Sequence, residues 1–252
     1  MTFTASFNLP QGINPDLSAI KRALVVVAHP DDIDYGSAGT VAVLTNSGIN
    51  VSYCLVTSGD AGGDNDGLSS DDRIAMRESE QSAAAKVVGV ETVHYLRQPD
   101  GRIESNLELR EKLTRVIRKE KPDLIITQSP RRRYDRIFAS HPDHLAVGEA
   151  TLSATYPDAQ NPHAFPHLLD EGHSAHTVKA VWIAADETPD TFVDITDVMD
   201  KKFEALFKHE SQISDQQSTK KMVKEWTSSM AELGGLKQGQ FAEAYRFVQI
   251  SY

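Results

Sequence analysis

The chain has 252 residues, 40% hydrophobic and 25% charged, with a formal net charge of −10. Such a length supports one sizeable core rather than two clear domains, and the composition is that of an ordinary globular protein. The acidic surplus repels polyanions, which argues against nucleic acid or an anionic membrane surface as partner but leaves a small substrate in a locally basic pocket open. The single cysteine, Cys54, has no internal partner for a disulfide and lies in an apolar segment, so it reads as a small buried hydrophobe. Met1 to Ile20 lacks a basic segment followed by an apolar core, and no apolar run is long enough to span a bilayer; a cytoplasmic location without a membrane partner is expected.

Residues 1–20 read as an N-terminal arm, because Met1 to Pro15 carries Pro, Gly and Asn without periodicity. A first strand is predicted at Ala23–Ala28, followed by a helix that opens on the small residues Gly36–Thr40 and is stopped by Asn46–Gly48. A strand at Val51–Thr57 ends in the turn Thr57-Ser58-Gly59-Asp60-Ala61-Gly62-Gly63, and Ser69–Val88 has a helical pattern. Thr92–Leu96 is a short strand, Leu107–Lys119 an amphipathic helix and Leu124–Gln128 an apolar strand. A basic loop, Arg131–Arg136 with Tyr134 inside it, leads to a helix whose first turn begins near Pro142. Val178–Ala184 and Thr191–Ile195 are further strands, Val198–His209 a helix, Gln212–Gly239 polar and helical, and Ala242–Ile250 a last strand closing the sheet. The alternation predicts a single α/β domain, a Rossmann-like three-layer sandwich around a mostly parallel sheet. Residues 156–176 form a long insertion, expected at the rim of an active site or at a subunit contact; its histidines His163, His167, His173 and His176 have no compact ligand spacing.

Two segments carry chemistry. The first strand runs directly into Ala28-His29-Pro30-Asp31-Asp32-Ile33-Asp34, and His29 with a carboxylate three residues on can grip one divalent ion while the neighbouring carboxylate stays free as a base. The second, His141-Pro142-Asp143-His144, repeats the theme more than a hundred residues later. The alternative for the first segment is structural: His29 caps a turn and the aspartates open a helix. A dinucleotide site is disfavoured, since the carboxylates would repel phosphate and the G-x-G-x-x-G spacing is absent. A two-metal phosphohydrolase has too few carboxylates in the second segment.

These residues resemble the PIG-L/LmbE-like zinc-dependent de-N-acetylases. The likeness extends to Gly39-Thr40, the Thr57-x-Gly59-Asp60-x-Gly62 turn, Arg77 with Glu80, Pro99-Asp100-Gly101 and Ala242–Arg246. Two departures are Ile33 before Asp34, where many members carry an acid directly after the aspartate pair, and Ala38 in place of the first glycine of Gly-Gly-Thr. The resemblance implies a metal-dependent N-deacetylase, a carbon-nitrogen hydrolase of linear amides, acting on a small acylated amino sugar such as an N-acetylglucosaminyl conjugate. It implies His29, Asp32 and His144 as ligands to Zn2+, which another divalent ion such as Fe2+ could replace. By the same resemblance Asp31 is the general base. His141 reads as a catalytic partner that stabilises the oxyanion or delivers a proton, or else as a group that orients a ligand, and Asp143 as orienting a histidine rather than binding metal. Arg77 and Asp100 would contact the sugar or pair as ions. The rival readings are an amidase acting on thiol conjugates of a glucosaminyl-inositol compound, and a sugar-binding protein that has lost the chemistry; a homo-oligomer is compatible with any of these.

Overall fold

The computed structural model describes residues 11–63 and 67–250, so the first half of the expected arm, residues 1–10, lies outside the described residues. In chain order the elements are β1 (Gly12–Ile13), β2 (Arg22–Val27), α1 (Asp32–Gly36), α2 (Ala38–Asn46), β3 (Asn50–Thr57), α3 (Ser70–Val87), β4 (Thr92–Gln98), α4 (Leu107–Glu120) and β5 (Leu124–Gln128). They continue as α5 (Pro142–Ser153), α6 (His167–Asp170), β6 (Ala180–Ala184), β7 (Thr191–Asp194), α7 (Met199–Leu206), α8 (Gln216–Leu233) and β8 (Ala242–Gln249). Among the described residues, no helix is long and apolar enough to cross a membrane.

All strands join one sheet in the order β1-β7-β8-β6-β5-β2-β3-β4. The pairings are parallel except where β8 runs antiparallel to both β6 and β7. The last strand therefore does not close an edge; it is inserted between two earlier strands, where both sides of its backbone find ladder partners. The edge beyond β7 is formed instead by Gly12–Ile13, within the segment expected as an arm. Running from β2 to β3 to β4 the chain builds outward on one side, and it then returns to place β5 on the other side of β2. The reversal opens a crevice at the carboxyl end of β2, the place where open α/β sheets bind ligands.

The strand side chains divide by alternation between two cores. From β2, Val25 and Val27 join Tyr53, Leu55, Ile126 and Trp182 beneath α2, α3 and α7. Leu24 and Val26 point the other way, with Ile125 and Val181, against Leu113 and Ile117 of α4 and Val147 of α5. Helices on both faces of a parallel sheet explain why its central strands read as continuous apolar runs rather than alternating ones. The segment after α5 is held by Arg118 of α4, which is fully buried and donates to the carbonyls of Asp158, Ala159, Asn161 and Ala164. Arg110 adds a two-pronged pair with the Asp158 carboxylate.

Between α1 and α2 the helix is interrupted at Ser37, which leaves backbone groups of both helix ends inside the protein. Lys202 of α7, fully buried, donates to the carbonyls of Asp34 (2.9 Å) and Tyr35 (2.6 Å) at the end of α1. Glu243 of β8, also fully buried, accepts from the N–H groups of Gly39 (3.1 Å) and Thr40 (2.6 Å) at the start of α2. The two side chains then pair at 2.7 Å, so that each charge is matched and each helix end satisfied. Replacing Lys202 with Met should strand Glu243 without its cation and cost roughly 3–5 kcal/mol. Urea unfolding measures this directly: a lowered midpoint is expected, and an unchanged one would show that the pair does not carry the interruption.

Candidate functional site

Ala28 leaves β2 pinned on both sides: its N–H donates to the Gln128 side chain at 3.0 Å, and its carbonyl accepts from Thr57 N–H at 2.8 Å. The chain then turns at Pro30–Asp31 and enters α1 at Asp32. Asp31 has φ 84° and ψ −28°, a left-handed conformation that is unusual for a residue with a side chain. Asp32 folds back so that its Oδ2 accepts from His29 N–H at 2.8 Å.

Across the crevice, α5 begins at Pro142 with His141 as its cap; His141 Nδ1 accepts from Asp143 N–H at 3.2 Å. That bond assigns the proton of the neutral ring to Nε2. Gly148 lets α5 lie against the end of β5, because a Cβ there would collide with the Gln128 carbonyl and Pro130 N. The helix is thereby seated with His144 of its first turn facing His29.

His29, Asp32 and His144 converge. His29 Nδ1 lies 3.3 Å from Asp32 Oδ2 and 3.3 Å from His144 Nε2, and His144 Nε2 lies 3.1 Å from Asp32 Oδ1. Donors that share a zinc at about 2.0–2.1 Å in tetrahedral geometry are about 3.3 Å apart. The two imidazole nitrogens have that spacing, and each lies as close to one oxygen of Asp32, His29 to Oδ2 and His144 to Oδ1, so these residue types are suited to such an ion. The His29 ring is oriented from behind: its Nε2 is 3.2 Å from Asp100 Oδ1 and 3.2 Å from Asp143 Oδ2. With acceptors on that side, a ring keeping its one proton on Nε2 would present the Nδ1 lone pair to the convergence point, the arrangement of a metal-ligating histidine backed by a carboxylate. Asp143, 1% exposed, is itself fixed by the N–H groups of Gly101 (2.7 Å) and Ile103 (3.2 Å). His141 completes a ring triangle with centroid separations of 4.9 Å to His29 and 5.3 Å to His144, and it is the exposed member.

Negative charge dominates this crevice. Burial disfavours the His29 cation, yet hydrogen bonds to Asp100 and Asp32 carry its pKa up to about 11. Burial likewise opposes charge on Asp32, but the His144 and His29 rings hold its carboxyl well below the usual range. A field that so strongly favours a positive imidazole favours a divalent cation in the same place. Asp31 behaves differently: burial, reinforced by the Asp32 carboxylate, pushes it up to about 7 although Arg77 opposes the shift. A carboxyl group near neutrality is suited to taking and returning a proton.

Arg77 of α3 is 3% exposed, with Nη2 3.1 Å from Asp31 Oδ2 and 2.9 Å from the Pro30 carbonyl. Its guanidinium runs under the loop after β3, where a Cβ at Gly59 or Gly62 would strike Nη1 and where Gly59 also has φ 70°. Of the two readings of Arg77 from sequence, sugar contact or ion pair, the fold presents the ion pair with Asp31. Asp100 faces His29, and its backbone N–H is held by Asp60 at 3.0 Å. Tyr134 is 86% exposed on the loop before His141. None of the histidines at 163–176 joins a metal-capable group among the described residues; His167 pairs with Glu111 and His176 with the Pro122 carbonyl.

Sequence reasoning passed over two residues behind the site, Gln81 and His209, both of which meet Asp34. Gln81 Oε1 accepts from Asp31 N–H at 2.9 Å, Gln81 Nε2 donates to Asp34 Oδ2 at 2.9 Å, and His209 Nε2 meets the same oxygen at 2.8 Å. One signal was available: Arg77 and Gln81 stand four apart on a predicted helix, hence on one face. His209, at the end of another helix, offered none.

The PIG-L family profile, described as GlcNAc-PI de-N-acetylase, matches residues 24–155, which include every residue of the crevice named above except His209. A diacetylchitobiose deacetylase from Thermococcus kodakarensis is 33% identical over 238 residues, covering 94% of this chain and 86% of that protein. A probable N-acetyl-alpha-D-glucosaminyl L-malate deacetylase 2 from Bacillus anthracis is 27% identical, over 77% of this chain and 82% of the relative. Among solved structures, N,N'-diacetylchitobiose deacetylase from Pyrococcus horikoshii, in complex with its inhibitor MPG, superposes with a TM-score of 0.85 at 28% identity, covering 92% of this chain and 85% of that one. The chain belongs to the PIG-L family.

Proposed function

We propose that the protein is a zinc-dependent hydrolase that removes the acetyl group from a small N-acetylglucosaminyl conjugate. The observation that carries this reading is the convergence of His29 Nδ1, the Asp32 carboxylate and His144 Nε2 within 3.1–3.3 Å of one another, with Asp31 on the same turn. The names of the T. kodakarensis and B. anthracis relatives, both deacetylases of acetylated amino sugars, support the substrate class.

A divalent ion held by His29, Asp32 and His144 would supply Lewis-acid polarisation of the amide carbonyl and lower the pKa of water. Asp31, held by Arg77, accepts the proton of the attacking water as its oxygen bonds to the acetamide carbon. His141, its Nδ1 occupied by the helix cap, offers Nε2–H to the oxygen that gains charge. Breaking the carbon–nitrogen bond then requires a proton on the departing nitrogen, which Asp31 returns; the products are acetate and the free amine. Asp100 and Asp143 keep the His29 ring in place throughout.

Two variants separate base from ligand. Asp31→Ala should retain its metal, by elemental analysis, and lower kcat for acetate release by about 100-fold or more. Near-normal turnover would rule Asp31 out as the base. His144→Ala should lose the bound zinc along with activity, and an unchanged zinc content would remove His144 from the ligand set.

A further inference from the structure

Asp31 has the dihedrals of the third residue in a type II turn, about (+80°, 0°), with proline in the favoured second place. That position normally takes glycine, and a non-glycine residue there is strained and persists only where its surroundings over-determine it. The alternative is a type I turn, with φ near −90° at the same residue. The two turns differ mainly in the direction of the central peptide, here the peptide between Pro30 and Asp31. Whatever holds that peptide decides where Asp31 points.

We infer that Gln81 is a positioning residue, which together with Arg77 one helical turn away grips the Pro30–Asp31 peptide at both ends and keeps it in the reversed orientation. Arg77 Nη2 donates to the Pro30 carbonyl at 2.9 Å, and Gln81 Oε1 accepts from the Asp31 N–H at 2.9 Å. Only one direction of the peptide satisfies both. Gln81 is fully buried, and its amide cannot be turned over, because its NH2 group must face Asp34 Oδ2 and its oxygen the N–H. His209, fully buried, holds Asp34 from the far side, so the orientation of the amide is itself fixed. The chain of contacts runs from His209, just past α7, through Asp34 of α1 and Gln81 of α3 to the backbone of the proposed base. For catalysis the inference rests on the reading of Asp31 as that base; for conformation it does not.

The test is a pair of variants, Gln81→Met and Gln81→Glu, each crystallised and assayed for acetate release and metal content. Methionine keeps length and approximate volume but removes both amide functions. The expected structure of Q81M has the peptide reversed, Asp31 φ negative and its carboxylate drawn away from Arg77. Its kcat should fall by about 10- to 100-fold, with KM within about threefold of wild type and the metal content unchanged. Glutamic acid, when protonated between Asp31 N–H and Asp34, reproduces the bonding of the amide, so Q81E should keep φ positive and recover most of the rate. A positive Asp31 φ in Q81M with wild-type kcat overturns the inference, as does a loss of kcat that merely tracks lost metal or lost fold. A reversed peptide in Q81E overturns it too, and decides the matter if Q81M does not fold. Should the wild-type protein release no acetate from any acetylated sugar, the hydrolase reading fails, while the crystallographic comparison still decides whether Gln81 holds the peptide.

Discussion

Carboxylates crowd the carboxyl end of β2, and most of the surrounding structure is arranged to tolerate them. Asp32, Asp100 and Asp143 all lie within 3.3 Å of the His29 ring. Each is balanced differently. Asp143 is satisfied by backbone N–H groups, Asp32 by His144 and the His29 N–H, and Asp31, on the far side of the turn, by Arg77. Asp34, one turn into α1, is fully buried and meets His209 and Gln81. The carboxylates gathered around His29, Asp32 and His144 favour positive charge there, as a divalent ion would supply.

Rigidity around that cluster comes from elements far away in sequence. Lys202 and Glu243 fix the broken helix that follows the His29–Asp32 turn, Gln128 secures the residue before it, and Gly148 seats the helix bearing His144. Each support depends on a strand or helix of the completed sheet. Inserting β8 between β6 and β7 puts Glu243 within reach of α2. Fold and site are thus connected through the same buried polar groups, so that an error in strand order would disconnect the charge network as well.

Much of this was legible in the sequence. Apolar runs of strand length at Leu24, Val51 and Leu124, separated by helical periodicity, specify a parallel sheet, and the His-Pro-Asp segments, whose residue types suit a metal, mark the crevice of the proposed site. Asp143 lies against His29, as a residue orienting a histidine would. Less legible were features decided by tertiary contact. The two-residue strand at Gly12 is too short to show periodicity, and the place of β8 between β6 and β7 is a matter of tertiary pairing that its own pattern does not specify. Arg77 was marked only by the family resemblance, since a charged helix face by itself reads as solvent-facing. Gln81, His209 and Lys202 resembled surface residues for the same reason; only packing reveals that their partners are buried carboxylates and backbone groups.

The central claim is that these histidines and carboxylates hold one catalytic ion. It is tested most directly by stripping the protein of metal and titrating zinc back while acetate release from N,N'-diacetylchitobiose is followed. The account predicts no release from the stripped protein and a rise that levels off at one zinc per chain. Full activity without metal, or no acetate at any zinc loading of the folded protein, would contradict it.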